Sequence, residues 1–186
     1  IAVEATGAIS HDELFSTCML IVMDGHGSTL DVMGCGMHAL LRFPQQQALL
    51  RARPELMKTA IPEMFRYESP LPFFHRYANV DVVIGGVAFP AGTRFGLLYG
   101  AANRDPSAFE EPEQFDVQRW PNRHLAFGGG AHFCLGNHLA RLSMDILFSA
   151  LLAKTTTIEL LADPQFKPGL RARGVPQLWV RGNRPK

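Results

Sequence analysis

Cys134 stands in the stretch Phe127-Gly128-Gly129-Gly130-Ala131-His132-Phe133-Cys134-Leu135-Gly136. A cysteine binds a metal as its thiolate, so it needs surroundings that favour the charged sulfur and space for the group it binds. The pattern supplies both. Cys134 sits at the entrance to a helix predicted over Leu135 to Leu152, where the positive end of the helix dipole and free amides favour a thiolate. Gly128, Gly129, Gly130 and Gly136 remove side chains that would block a flat cofactor and permit unusual backbone angles. His132, two residues before the sulfur, is a donor for an anionic group or a plain surface imidazole. By spacing alone the stretch is either a cofactor loop or an ordinary glycine-rich turn.

Other residues carry weaker signals. Glu63 and Arg66 are three apart and share a helix face, and an exposed pair of that kind adds little stability. Arg76 has the bidentate fork that suits a carboxylate, but on its own reads as a surface arginine. Asp24 and Ser28, four apart, also share a helix face and could pass a proton. The three cysteines, Cys18, Cys35 and Cys134, form no C-x-x-C pair, which argues against a disulfide framework and a four-ligand zinc site. Cys18 and Cys35 fall in an apolar helical pattern and read as small core hydrophobes.

Elements must position these groups. Ser10-His11-Asp12-Glu13 is a capping box opening a long helix through Leu14, Cys18, Ile21, Val22, Leu30, Met33, Met37 and Leu41, which Pro44 should stop. Within it, Asp24-Gly25-His26-Gly27-Ser28-Thr29 is poor helix interior and predicts a local distortion. Shorter helices are expected over Gln45 to Ala52 and Glu55 to Tyr67, with Pro62 inside the second. Val80 to Ile84 and Thr93 to Leu98 read as strands, and prolines between Asn103 and Leu125 predict an irregular packed meander. In the last helix Leu139, Leu142, Ile146 and Ala150 form an apolar stripe at helical spacing. Thr157 to Leu160 and Gln177 to Val180 suggest a hairpin-like sheet.

The 186 residues are 47% hydrophobic, enough to build a core rather than a disordered chain. A net charge of +1 gives no reason to expect nucleic acid or an anionic membrane. The apolar run Cys18 to Met23 is too short to span a bilayer, so a cytoplasmic protein is expected. Ile1 in place of methionine reads as a fragment or processed product.

Phe127 to Gly136 matches F-x-x-G-x-H-x-C-x-G and resembles the haem-binding signature of the cytochrome P450 family, most closely its soluble bacterial branch. Glu63-Met64-Phe65-Arg66 matches that family's E-x-x-R. The resemblance implies a mainly α fold with small β-sheets (α+β), residues 1–186 forming the haem-binding C-terminal portion from the long distal helix through the cysteine loop to the final helix. It implies haem b with Cys134 as axial thiolate ligand, and His132, Arg76, Phe127, Gly128, Gly130 and Gly136 around the cofactor. Glu63 and Arg66, joined by Arg119 from the meander, are implied to hold the loop in shape. The implied activity is monooxygenation of a small organic substrate with electrons from a ferredoxin- or flavodoxin-type partner; the alternative is a non-catalytic haem-binding or auxiliary relative. The family's distal helix reads A/G-G-x-D/E-T-T/S, so here Gly27 stands at the acid and Ser28 at the alcohol, leaving Asp24 as a substitute carboxylate. The part of the family's fold that precedes the long helix has no counterpart in these residues, which implies either a complementary N-terminal half or a remnant chain.

Overall fold

The computed structural model describes residues 2–184 and is mainly helical, with three small sheets. The helices are α1 (Ala2–Ala5), α2 (His11–Arg42), α3 (Pro44–Ala52), α4 (Met57–Tyr67), α5 (Tyr99–Ala102) and α6 (Asn137–Lys154). The strands are β1 (Phe74–Tyr77), β2 (Val82–Ile84), β3 (Val87–Phe89), β4 (Arg94–Leu97), β5 (Thr157–Leu160) and β6 (Val180–Asn183).

α2 begins where the capping box places it. Ser10 Oγ accepts from the Glu13 amide at 3.2 Å and the Glu13 carboxylate accepts from the Ser10 amide at 2.8 Å. It ends at Arg42, before Pro44, as the proline requires. The distortion expected at Asp24 to Thr29 is absent: the helix runs through without a break. Ser28 Oγ donates to the Asp24 carbonyl at 3.0 Å, taking a lone pair already inside the helix rather than opening it.

Only the second half of α2 enters the core. Val32, Cys35 and Leu40 are fully buried, whereas Phe15, Met19, Leu20, Ile21, Val22 and Met23 are exposed on every side of the first half. Cys18 is therefore exposed, against the core role expected of it, while Cys35 is buried and its thiol is pushed up to about 12, chiefly by desolvation. α2 crosses α4 and α6 at Gly36, where an added Cβ would meet Met64 Sδ at 3.1 Å and Met144 Cε at 3.3 Å. Around that crossing Leu40, Leu50, Phe65, Phe115, Val117, Phe127 and Phe148 complete the core.

α6 forms as expected but faces the other way. Met144 and Phe148 are its buried anchors, and Leu139, Leu142 and Ile146 are exposed. Its C-terminus is held by Arg51 of α3, whose guanidinium donates to the Leu152 carbonyl at 2.7 Å, to the Thr155 carbonyl, and to Thr155 Oγ1 at 3.0 Å. Three last-turn acceptors thus share one cation.

The two expected strands, Val80–Ile84 and Thr93–Leu98, do not pair with each other. β1 pairs with β4, and β2 with β3 across Gly85-Gly86, all antiparallel. The C-terminal sheet is β5 with β6, whose partner strand starts at Val180, three residues later than the residue pattern suggested. Between them, the 163–175 segment is fastened to α2 and the end of α4. Lys167 Nζ meets Asp31 at 2.6 Å, Arg173 Nε meets Glu68 at 2.5 Å, and the Arg173 amide donates to the Pro70 carbonyl at 2.8 Å. Gly174 lies where any Cβ would sit 2.0 Å from Asp31 Oδ1. No helix among the described residues is long and apolar enough to cross a membrane.

Candidate functional site

α4 carries the centre of a fully buried ion network. Arg66 Nε and Nη2 bind the two oxygens of Glu63 at 2.7 and 2.8 Å, with both side chains completely inaccessible to solvent. The remaining guanidinium donors reach main-chain carbonyls of the meander: Asn103 at 2.9 Å, Pro112 at 2.8 Å and Gln114 at 2.9 Å. Every N–H of Arg66 is thereby used. Glu63 also accepts from Arg119 Nε at 3.2 Å, the Asp116 amide at 3.0 Å and Asn122 Nδ2 at 3.0 Å. A charge pair removed this completely from water is stable only when its residual donors and acceptors are satisfied, and here they are.

The meander held by Arg66 and Glu63 leads into the cysteine loop. Asn103, fully buried, accepts the Leu125 amide on Oδ1 at 2.6 Å and donates to Ser69 Oγ at 2.7 Å. The Gly128 amide donates to the Leu125 carbonyl at 2.9 Å, and the Phe127 carbonyl accepts the Cys134 amide at 3.0 Å. Phe127 is buried against Phe65, with ring centroids 4.5 Å apart. Gly128 and Gly130 have φ of +69° and +67°, left-handed values that side chains resist. The loop ends in a 3-10 turn, Gly130–His132, and Cys134 precedes the α6 N-cap Gly136 by two residues. Asn137 closes the junction by donating its Nδ2 to the Cys134 carbonyl at 2.9 Å.

The Cys134 thiol is half-buried, between the core and an open face. An added Cβ at Gly129 or Gly130 would meet no atom within 4 Å, so the loop backbone presents an unobstructed surface. The amides of Leu135 and Gly136, the two residues after Cys134, form no hydrogen bond among the described residues. No cluster of three or more His, Cys, Asp or Glu residues is arranged around a metal among the described residues. The donor set offered is thus one thiol, which fits a metal whose other positions are filled by a macrocycle.

The remaining candidates lie apart from this brace. Arg76, on β1, is half-buried and donates to the His75 carbonyl at 2.8 Å, leaving other donors of its fork for an anion. His132 is exposed, with no hydrogen bond among the described residues. Asp24 is exposed on the unburied half of α2, and its link to Ser28 runs through its main-chain carbonyl rather than its carboxylate. Asn103, Asn122, His124 and Arg141 also shape the loop and were not singled out from sequence. Polar residues in a proline-broken meander have no periodicity to reveal them.

Comparison with known proteins matches residues 2–158 to the family model described as Cytochrome P450. The biotin biosynthesis cytochrome P450 of Bacillus subtilis (strain 168) is 43% identical over 152 residues, covering 82% of this chain and 38% of its own. The 6-deoxyerythronolide B hydroxylase of Saccharopolyspora erythraea is 37% identical over 178 residues, covering 94% of this chain and 44% of its own. Among solved structures, P450BioI in complex with a hexadec-9Z-enoic acid ligated acyl carrier protein superposes with a TM-score of 0.92 at 39% identity, covering 94% of this chain and 46% of that one. The chain spans less than half the length of these relatives.

Proposed function

The chain belongs to the cytochrome P450 family, and from that premise we propose that it forms the haem-ligating portion of a monooxygenase that inserts one atom of dioxygen into a small organic substrate. Haem b, when bound, supplies the activation of dioxygen, with thiolate donation favouring O–O cleavage. Cys134 would hold its iron through the thiolate, with the loop backbone at Gly128, Gly130 and Gly136 lying beside the macrocycle. Arg76 and His132 are donors for its propionates. Glu63, Arg66 and Arg119 fix the meander so that the thiol is presented in one position.

The observation that carries this reading is the lone half-buried thiol on a loop held from behind by a saturated ion network. The reduced carbon monoxide spectrum of the haem-loaded chain tests it: a strongly red-shifted Soret band is expected, and is lost in Cys134→Ser. Absence of that band in the unsubstituted chain overturns the reading.

Electrons come from a ferredoxin- or flavodoxin-type donor, the protein acts in the cytoplasm, and a complementary N-terminal half covers the exposed faces of α2 and α6. Partner-dependent product formation separates this enzyme from a haem-binding or auxiliary relative. On α2, Ser28 holds its hydroxyl proton on the Asp24 carbonyl and must break that one bond to relay a proton. Asp24, on the same helix face, supplies the carboxylate that Gly27 lacks. Asp24→Asn is expected to lower oxygen-dependent turnover about tenfold or more; unchanged turnover excludes the role.

A further inference from the structure

His124 precedes the cysteine loop and packs against its buried Phe127. Its ring stacks on Phe65 at 6.0 Å between centroids and 14° between planes, and tilts against Phe127 at 5.6 Å. Nδ1 accepts the amide of Ala126 at 3.2 Å. A backbone N–H can only donate, so Nδ1 carries no proton and the neutral ring bears it on Nε2. That nitrogen, a donor in this tautomer, lies 3.5 Å from Arg141 Nη2, which is also a donor, so the two form no hydrogen bond; the same guanidinium lies over the Phe127 ring at 4.9 Å.

The backbone before the glycines is thus pinned amide by amide: Leu125 by Asn103, Ala126 by His124, and Gly128 by its own turn. The Phe127 carbonyl that receives the Cys134 amide sits within this pinned run. We propose that His124 is a positioning residue for the cysteine loop: its unprotonated Nδ1 fixes the Ala126 amide and thereby the Phe127 carbonyl that holds Cys134. Burial first, then Arg141 and Arg66, lower the His124 pKa to about 4, which keeps Nδ1 free to accept at neutral pH.

The positioning role can be read without cofactor, by amide hydrogen exchange at Cys134 in the full chain; its relevance to the thiolate ligand rests on the function proposed above. His124→Phe keeps an aromatic ring but has no acceptor, while His124→Asn places an oxygen that can take the Ala126 amide in an Asx-turn. Cys134 exchange is expected about tenfold faster in His124→Phe and close to the unsubstituted rate in His124→Asn, with exchange at buried Phe65 of α4 unchanged in both. Unchanged Cys134 exchange in His124→Phe, or acceleration in both variants, overturns the assignment to the acceptor. In the haem-loaded chain, His124→Phe is expected to lower the fraction of carbon monoxide complex with the red-shifted band, and His124→Asn to restore it. An unsubstituted chain that protects Cys134 yet never gives that band overturns the functional reading alone.

Discussion

Glu63 receives two arginines, one backbone amide and one asparagine on a carboxylate that no solvent reaches. Removing that charge by Glu63→Leu strands Arg66 in the interior and is expected to cost about 3 to 5 kcal/mol, read from the urea midpoint. A second expectation concerns His124 and pH. Its pKa falls from the ordinary 6.5 to about 4 in the folded chain, so between those values the unfolded chain binds the extra proton. Stability should therefore fall as pH drops from about 6.5 towards 4, by about 3 kcal/mol, and level off below. His38, also lowered by desolvation, acts in the same direction. His124→Asn should flatten the urea midpoint against pH by its own share. The Cys134 loop and the Glu63-Arg66 pair were legible in sequence because their spacing matches a family signature and places both charges on one helix face. Asn103 and His124 were not: each holds one backbone amide, and that role depends on where an irregular segment folds back.

At the scale of elements, helices were legible and their orientation was not. The capping box fixed the start of α2, and Pro44 its end. The apolar stripe of α6 correctly marked a helix, yet its buried side carries Met144, Phe148 and the Arg141 contact to Phe127. Periodicity reports that a helix has an apolar side; it does not report which neighbour covers it. β1 and β3 escaped notice because Phe74-His75-Arg76-Tyr77 has two polar residues at its centre and Val87-Ala88-Phe89 lies between the turn signals Gly85-Gly86 and Pro90-Ala91-Gly92. Arg51→Ala should uncap α6 and cost about 2 kcal/mol, with faster amide exchange in its last turn. Gly174→Ala should force the Asp31 carboxylate aside and lower the urea midpoint by the equivalent of about 1 to 3 kcal/mol.

Across the whole molecule, the apolar surface is unevenly distributed. α2 from Phe15 to Met23 and α6 at Leu139, Leu142 and Ile146 present large side chains to water, well beyond the scattered exposure usual for a monomer. Replacing Leu139, Leu142 and Ile146 by Gln should leave the urea midpoint within about 0.5 kcal/mol, since these side chains bury little. Sedimentation should show less self-association. The ion network is more economical in what it asks of sequence. Arg66 grips the carbonyls of Asn103, Pro112 and Gln114, and every residue has a carbonyl to offer. Side chains on that part of the meander can drift over generations without loosening the grip. An inserted or deleted residue between positions 103 and 114 cannot be absorbed in the same way, because it shifts the acceptors that follow it out of register with those before it.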